Sequence, residues 1–86
     1  MFTPEEIETR VRERIFVPFR IVTSSGESFE IRHPNLIMVG ERLLYVGLAS
    51  PQKPTIFNRV SQVAIAHVTA LEDLPQAVAP GGNGSQ

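Results

Sequence analysis

The segment VPFRIVTSSGESFEIRHP, residues 17–34, constrains the fold most, because it fixes the register of a β-hairpin. A type I turn over Ser24 and Ser25, followed by Gly26 in the left-handed region, is a common three-residue hairpin loop. It puts the apolar residues of both strands on one face, apart from Val22, and an opposite-charge pair on the other. A two-residue Ser-Gly loop would mix the faces. The three-residue loop predicts these cross-strand pairs: Phe19 with Ile31, Ile21 with Phe29, Thr23 with Glu27, and Arg20 with Glu30.

The N-terminal sequence FTPEEI is typical of a helix start. Thr3 can serve as N-cap, Pro4 occupies the first helical position, and Glu6 completes a capping box. We predict a helix over residues 3–14. Its apolar stripe consists of Ile7, Val11 and Ile15. A helix this short is unstable alone, so it should pack on another element.

NLIMVGERLLYVGL, residues 35–48, predicts a second hairpin that turns near Gly40-Glu41, with apolar residues on both faces. One face holds Ile37, Leu44, Val46 and Leu48, and the other holds Leu36, Met38, Leu43 and Tyr45. Both faces of such a hairpin must be covered. One cover is the interior of the domain, and the other is either the N-terminal helix or a neighbouring protomer. The second set of residues therefore forms the predicted interface.

The rest of the chain predicts a loop over residues 49–55, a strand over 56–65, a turn near Ala66-His67 and a last strand over 68–71. Residues 75–86 lack periodicity and aromatic side chains, which predicts a disordered tail. We expect one domain, residues 1–74, that is mainly β. A short helix precedes a five-stranded SH3-like or Sm-like small barrel. An open antiparallel sheet packed on the helix is the alternative.

Composition excludes several classes of function. The formal net charge of −1 gives no general attraction to nucleic acid or anionic lipid. The chain has no cysteine, and its two histidines do not have the spacing of a metal site. No acid–base pair or activated nucleophile emerges, so we expect neither an enzyme nor a cofactor. No apolar segment is long enough for a membrane span, which predicts a soluble cytoplasmic protein without a membrane partner.

His33-Pro34 interrupts the alternation of the sequence FEIRHPNLIMVG. Proline disfavours helical backbone in the residue before it and removes a ladder donor, so the pair predicts a corner between strands. Alternatively, Arg32 and His33 contact a phosphate or a carboxylate. His67 lies at the predicted turn between the last two strands. A lone histidine in such a place commonly donates a hydrogen bond from its imidazole to a backbone carbonyl.

Two resemblances bear on function. PFRIVTSSGESFEIRHP together with AHVTALEDL is similar to a family of small uncharacterised bacterial proteins, which implies no activity. VSQVAIAH, residues 60–67, and VPFRI resemble the bacterial Sm-like RNA chaperone Hfq, although Ala66 stands where that family has Lys. This resemblance implies a homo-oligomeric ring closed by strand pairing between protomers. It also implies that single-stranded RNA binds near the pore through His67.

Two functional hypotheses stay open. The first is an oligomeric Sm-like RNA-binding barrel, for which the candidate nucleic-acid-binding residues are His67, Arg59, Arg32 and His33. The second is a protein-interaction or assembly module that does not bind nucleic acid. The first predicts a ring of several protomers with salt-sensitive RNA affinity. The second predicts a monomer or dimer that does not bind RNA.

Overall fold

The computed structural model describes residues 1–50 and 52–75, without the side chains of residues 54, 55 and 57. The predicted tail, apart from Pro75, lies outside the described residues. The described part of the chain begins with one helix, α1 (Pro4–Val11). Its strands are β1 (Phe19–Thr23), β2 (Ser28–Ile31), β3 (Ile37–Val39), β4 (Leu43–Ser50), β5 (Lys53–Ala64) and β6 (Val68–Asp73).

Helix α1 begins as predicted but ends earlier. The Thr3 hydroxyl accepts a hydrogen bond from the Glu6 backbone N–H at 3.1 Å, and the Glu6 carboxylate accepts one from the Thr3 N–H at 2.8 Å, which completes the capping box. Ile7 and Val11 are buried, whereas Ile15 is 79% exposed. The prediction of a helix to residue 14 is wrong, and the exposed Ile15 supplies no burial that would stabilise a further turn.

Strand β1 is the centre of a three-stranded antiparallel sheet with the order β2-β1-β6. The predicted register between β1 and β2 is confirmed, with Phe19 opposite Ile31 and Ile21 opposite Phe29. Gly26 has φ of +90°, the left-handed conformation that the three-residue loop requires. The predicted Thr23–Glu27 pair closes that loop through the Thr23 N–H, which donates to the Glu27 carbonyl at 2.9 Å.

The second sheet has the order β3-β4-β5. Its first hairpin turns at Gly40, whose N–H donates to the Leu43 carbonyl at 2.8 Å, close to the predicted position. The predicted loop over residues 49–55 is wrong, since β4 continues to Ser50 and pairs there with Lys53 of β5. Hydrogen bonding to β4 overrides the weak strand propensity of this segment. Because β5 is an edge strand, it also tolerates Pro54.

The described strands form two three-stranded sheets, and their hydrogen bonds do not close a barrel. The described residues form six strands where a five-stranded barrel was predicted, although the individually predicted strands already number six. The 3₁₀ turn Pro34–Leu36 separates β2 from β3 at the predicted corner. A second 3₁₀ turn, Ile65–His67, connects β5 to β6. The chain therefore passes from one sheet to the other at two corners, and the two sheets share a core.

The core lies between the two sheets and α1. Its fully buried side chains come from all three: Ile7, Phe19, Ile21, Ile31, Leu44 and Val46. Arg10 of α1 makes an ion pair with Asp73 of β6, and its guanidinium lies 4.8 Å from the centre of the Phe19 ring. The helix is thereby fixed to the inner side of the fold, which leaves the outer face of the second sheet uncovered by it.

Candidate functional site

The outer apolar face is the side of the β3-β4-β5 sheet opposite the core. Alternation along the strands turns Ile37, Leu44 and Val46 inward and their neighbours outward. The side chains of Met38, Tyr45 and Val60 are 69%, 37% and 52% exposed. A groove of about 290 Å³ runs across this face and is lined by Asn35, Leu36, Ile37, Met38, Tyr45, Gly47 and Val60. The face is a contiguous apolar surface open to solvent.

The predicted interface residues share this region but differ in exposure. Met38 lies opposite Tyr45 in the register of β3 and β4, and both are exposed. Leu43 is half-buried, and Leu36, in the 3₁₀ turn Pro34–Leu36, is 5% exposed. Leu36 was predicted to share a face with Met38, Leu43 and Tyr45, and it lines the groove on this face although it is buried. The N-terminal helix covers the inner side, so it is not the cover of this face.

Strand β5 adds an unpaired edge to the outer apolar face. Among the described strands, β5 pairs only with β4, and β6 pairs only with β1. Strand β5 also carries Ile56, which is 61% exposed. Each of these two edge strands presents backbone N–H and C=O groups that a further strand could pair with. Val60 was not predicted as a surface residue. Asn58 and Gln62, two residues before and after it, share its face of the strand, and their polarity could have indicated its exposure.

The inter-sheet cleft is a separate opening of about 510 Å³ between β2 and the β4-β5 hairpin. Arg32, which follows β2, and Arg59 of β5 both line it, so the structure brings two of the predicted residues together. The other lining residues are Glu30, Leu36, Gly47, Leu48, Ala49 and Ser50. No role in binding was predicted for Glu30, Leu48 or Ser50, because no local sequence pattern relates β2 to the end of β4.

Arg32 of the inter-sheet cleft makes an ion pair, whereas Arg59 makes none with the residues that the structure describes. Arg32 donates to the Glu30 carboxylate at 2.9 Å, and the predicted Arg20–Glu30 pair is confirmed at 3.2 Å. Hydrogen bonds from Arg20 and then Arg32 lower the pKa of Glu30, so this carboxylate stays charged at neutral pH. The described hydrogen bonds and ion pairs include none to Arg59.

His67 and His33 lie apart from the inter-sheet cleft. His67 is exposed in the 3₁₀ turn before β6 and lines a different groove with Glu27 and Gln62. Its Nδ1 atom is 3.4 Å from the Ser24 hydroxyl, so the partner of the ring is a hydroxyl instead of the expected backbone carbonyl. His33 precedes Pro34 at the start of the other 3₁₀ turn, where β2 has ended, which confirms the predicted corner.

Within residues 1–50 and 52–75, the described side chains hold no group of three or more His, Asp or Glu that could bind a metal ion. The one described α-helix is too short to cross a membrane. No protein-family model, curated protein or solved structure matches this chain. The candidate sites are therefore the outer apolar face with its β5 edge and the inter-sheet cleft.

Proposed function

We propose that this chain is a non-enzymatic assembly module that self-associates through the edge of β5 and the neighbouring part of the outer apolar face. The observation that carries the proposal is the exposure of Met38, Tyr45 and Val60 on one sheet face beside an unpaired edge. Contiguous apolar surface of this kind marks interaction sites in small proteins. A strand from another molecule that pairs with the β5 edge would also cover Ile56, an exposed residue of β5.

A second copy of the chain is the occupant that the edges favour. Each protomer has four edge strands among its described strands, β2, β3, β5 and β6, and the edges of β5 and β6 differ from each other. Pairing β5 of one copy with β6 of the next is a head-to-tail contact, which closes into a ring when the rotation permits. A net charge of −1 per chain offers little long-range repulsion against such assembly.

We also infer that the fold is a small barrel of the SH3-like or Sm-like type. Support comes from the chain order, since β1 pairs with both β2 and the last strand, β6. Further support comes from the two 3₁₀ corners, Pro34–Leu36 and Ile65–His67, each of which connects the two sheets. Strands that change sheets at such corners are typical of small barrels.

The test of self-association is sedimentation velocity over a wide range of protein concentration. We expect the wild type to form a species larger than the protomer. Val60→Lys should weaken this association at least about tenfold, because it places a charge in the interface. Ile15→Lys is the matched control, since Ile15 is 79% exposed and lies outside this face. Equal association of wild type and Val60→Lys, both folded by circular dichroism, contradicts the proposal.

Binding of single-stranded RNA is a second candidate function, favoured by the presence of Arg32 and Arg59 in one cleft. Arg32 is paired with Glu30, so Arg59 is the cation more available to a phosphate. His67 lies outside the cleft and would contact the RNA separately. Fluorescence anisotropy with a short oligouridine tests this candidate. Affinity should fall with salt, with a slope of about −0.7 for each phosphate neutralised. The double variant Arg59→Ala with His67→Ala should bind more weakly, and unchanged affinity would exclude RNA binding by these residues.

A further inference from the structure

We propose that the inter-sheet cleft binds a small organic carboxylate with an apolar body. The site is formed by Arg59 and Arg32 as the anion-binding groups and by the side chains of Leu36 and Leu48 as apolar walls. This inference does not depend on self-association, because the cleft opens between the sheets and the outer apolar face lies on the other side of β4. The two sites share Leu36 and Gly47 in their linings.

Three side chains of the inter-sheet cleft have N–H or O–H groups that can donate to a ligand. Arg59 has no partner among the described residues, so its guanidinium offers a planar pair of N–H groups to a carboxylate. Arg32 uses Nη2 for Glu30 and keeps its other N–H groups. The Ser50 hydroxyl accepts from the Lys53 backbone N–H at 3.3 Å, which leaves its own hydrogen available to donate.

The charge of the cleft favours a monoanion over a dianion. Arg32 and Arg59 contribute two positive charges, and Glu30 contributes one negative charge. Glu30 keeps that charge at neutral pH because Arg20 and Arg32 stabilise it. The lining therefore carries a net charge of about one positive unit. A carboxylate neutralises this charge, whereas a phosphate dianion would overcompensate and approach the Glu30 carboxylate.

The shape and position of the cleft favour an apolar body of several carbon atoms. The volume of about 510 Å³ lies within the range of small-molecule sites. Leu36, Leu48 and Ala49 supply apolar lining, while Arg32 follows β2 of one sheet and Arg59 belongs to β5 of the other. A ligand held by both arginines would connect β2 of one sheet with β5 of the other, so binding should raise the melting temperature.

Sodium hexanoate is the probe, titrated into isotopically labelled full-length protein and followed by amide NMR. We expect saturable shifts in the amides of residues 30–32 and 47–50. Two probes with the same carbon chain, 1-hexanol and hexylammonium, separate the carboxylate from its apolar body and should give no saturable shift there. Inorganic phosphate should bind more weakly than hexanoate. Absence of saturable shifts with hexanoate, or tighter binding of phosphate, would overturn the proposal.

Two arginine variants complete the test. Arg59→Gln should weaken hexanoate binding at least about tenfold, while the dispersion of its spectrum reports that it folds. Arg14→Gln is the matched control, because Arg14 is exposed and does not line the cleft. Equal affinity of Arg59→Gln and wild type would refute the site. Displacement of hexanoate by oligouridine that binds more tightly would reassign the cleft to RNA, and sedimentation of the same samples tests self-association separately.

Discussion

Replacing Ile7 with alanine should destabilise the whole domain, because this one side chain anchors α1 in the shared core. Ile7 is 0% exposed and belongs to the cluster that includes Phe19 and Leu44. Truncating a fully buried isoleucine to alanine costs about 2–5 kcal/mol, from lost burial and from the cavity that remains. A loss of about 3 kcal/mol lowers the melting temperature of a domain of this size by roughly 12–24 °C.

Urea denaturation at one fixed protein concentration measures this effect, because self-association would otherwise alter the apparent stability. Ile15→Ala is the matched control, since the same side chain is 79% exposed there and its removal should change the free energy of unfolding by less than about 0.5 kcal/mol. Equal free energies of unfolding for Ile7→Ala and Ile15→Ala would show that α1 is not an integral part of the core.

Three further substitutions test local features of the fold. Thr3→Ala should cost about 1 kcal/mol of unfolding free energy by removing the capping box, and an unchanged urea midpoint would argue against that cap. Gly26→Ala should cost about 1–2 kcal/mol, because its φ of +90° is strained for any residue with a Cβ. Glu30 has a folded-state pKa below its usual 4.5 because of Arg20 and then Arg32, so its contribution to stability is present above pH 4.5 and is lost as the pH falls through the folded-state value. Glu30→Gln should therefore show a shallower loss of stability on acidification, and a profile parallel to wild type would contradict this.

Local features of the fold could be predicted from the sequence where one segment contains all the interacting groups. The register of β1 and β2 follows from the position of Gly26 and the alternation on either side of it. The helix start follows from Thr3 and Glu6, which bond to each other's backbone. The corner at His33-Pro34 follows from proline stereochemistry. Each of these predictions depends on fewer than about fifteen consecutive residues.

Features that depend on distant segments could not be predicted in the same way. Residues 49–55 read as a loop, yet pairing along the β4-β5 hairpin extends both strands into them. The sequence left open whether α1 or a neighbouring protomer covers the second hairpin face, because this depends on which side of the sheet α1 packs against. Arg32 and Arg59 were predicted as separate candidates, and the cleft that joins them requires the packing of two sheets. Local pattern carries no information about that packing.

Self-association of this chain is measured by its absolute mass in solution, from light scattering on a sizing column at physiological salt. We expect a mass several times the 9.5 kDa of one chain, and a shift towards 9.5 kDa in Val60→Lys but not in Ile15→Lys. A wild-type mass of 9.5 kDa at every concentration tested would contradict the proposed assembly.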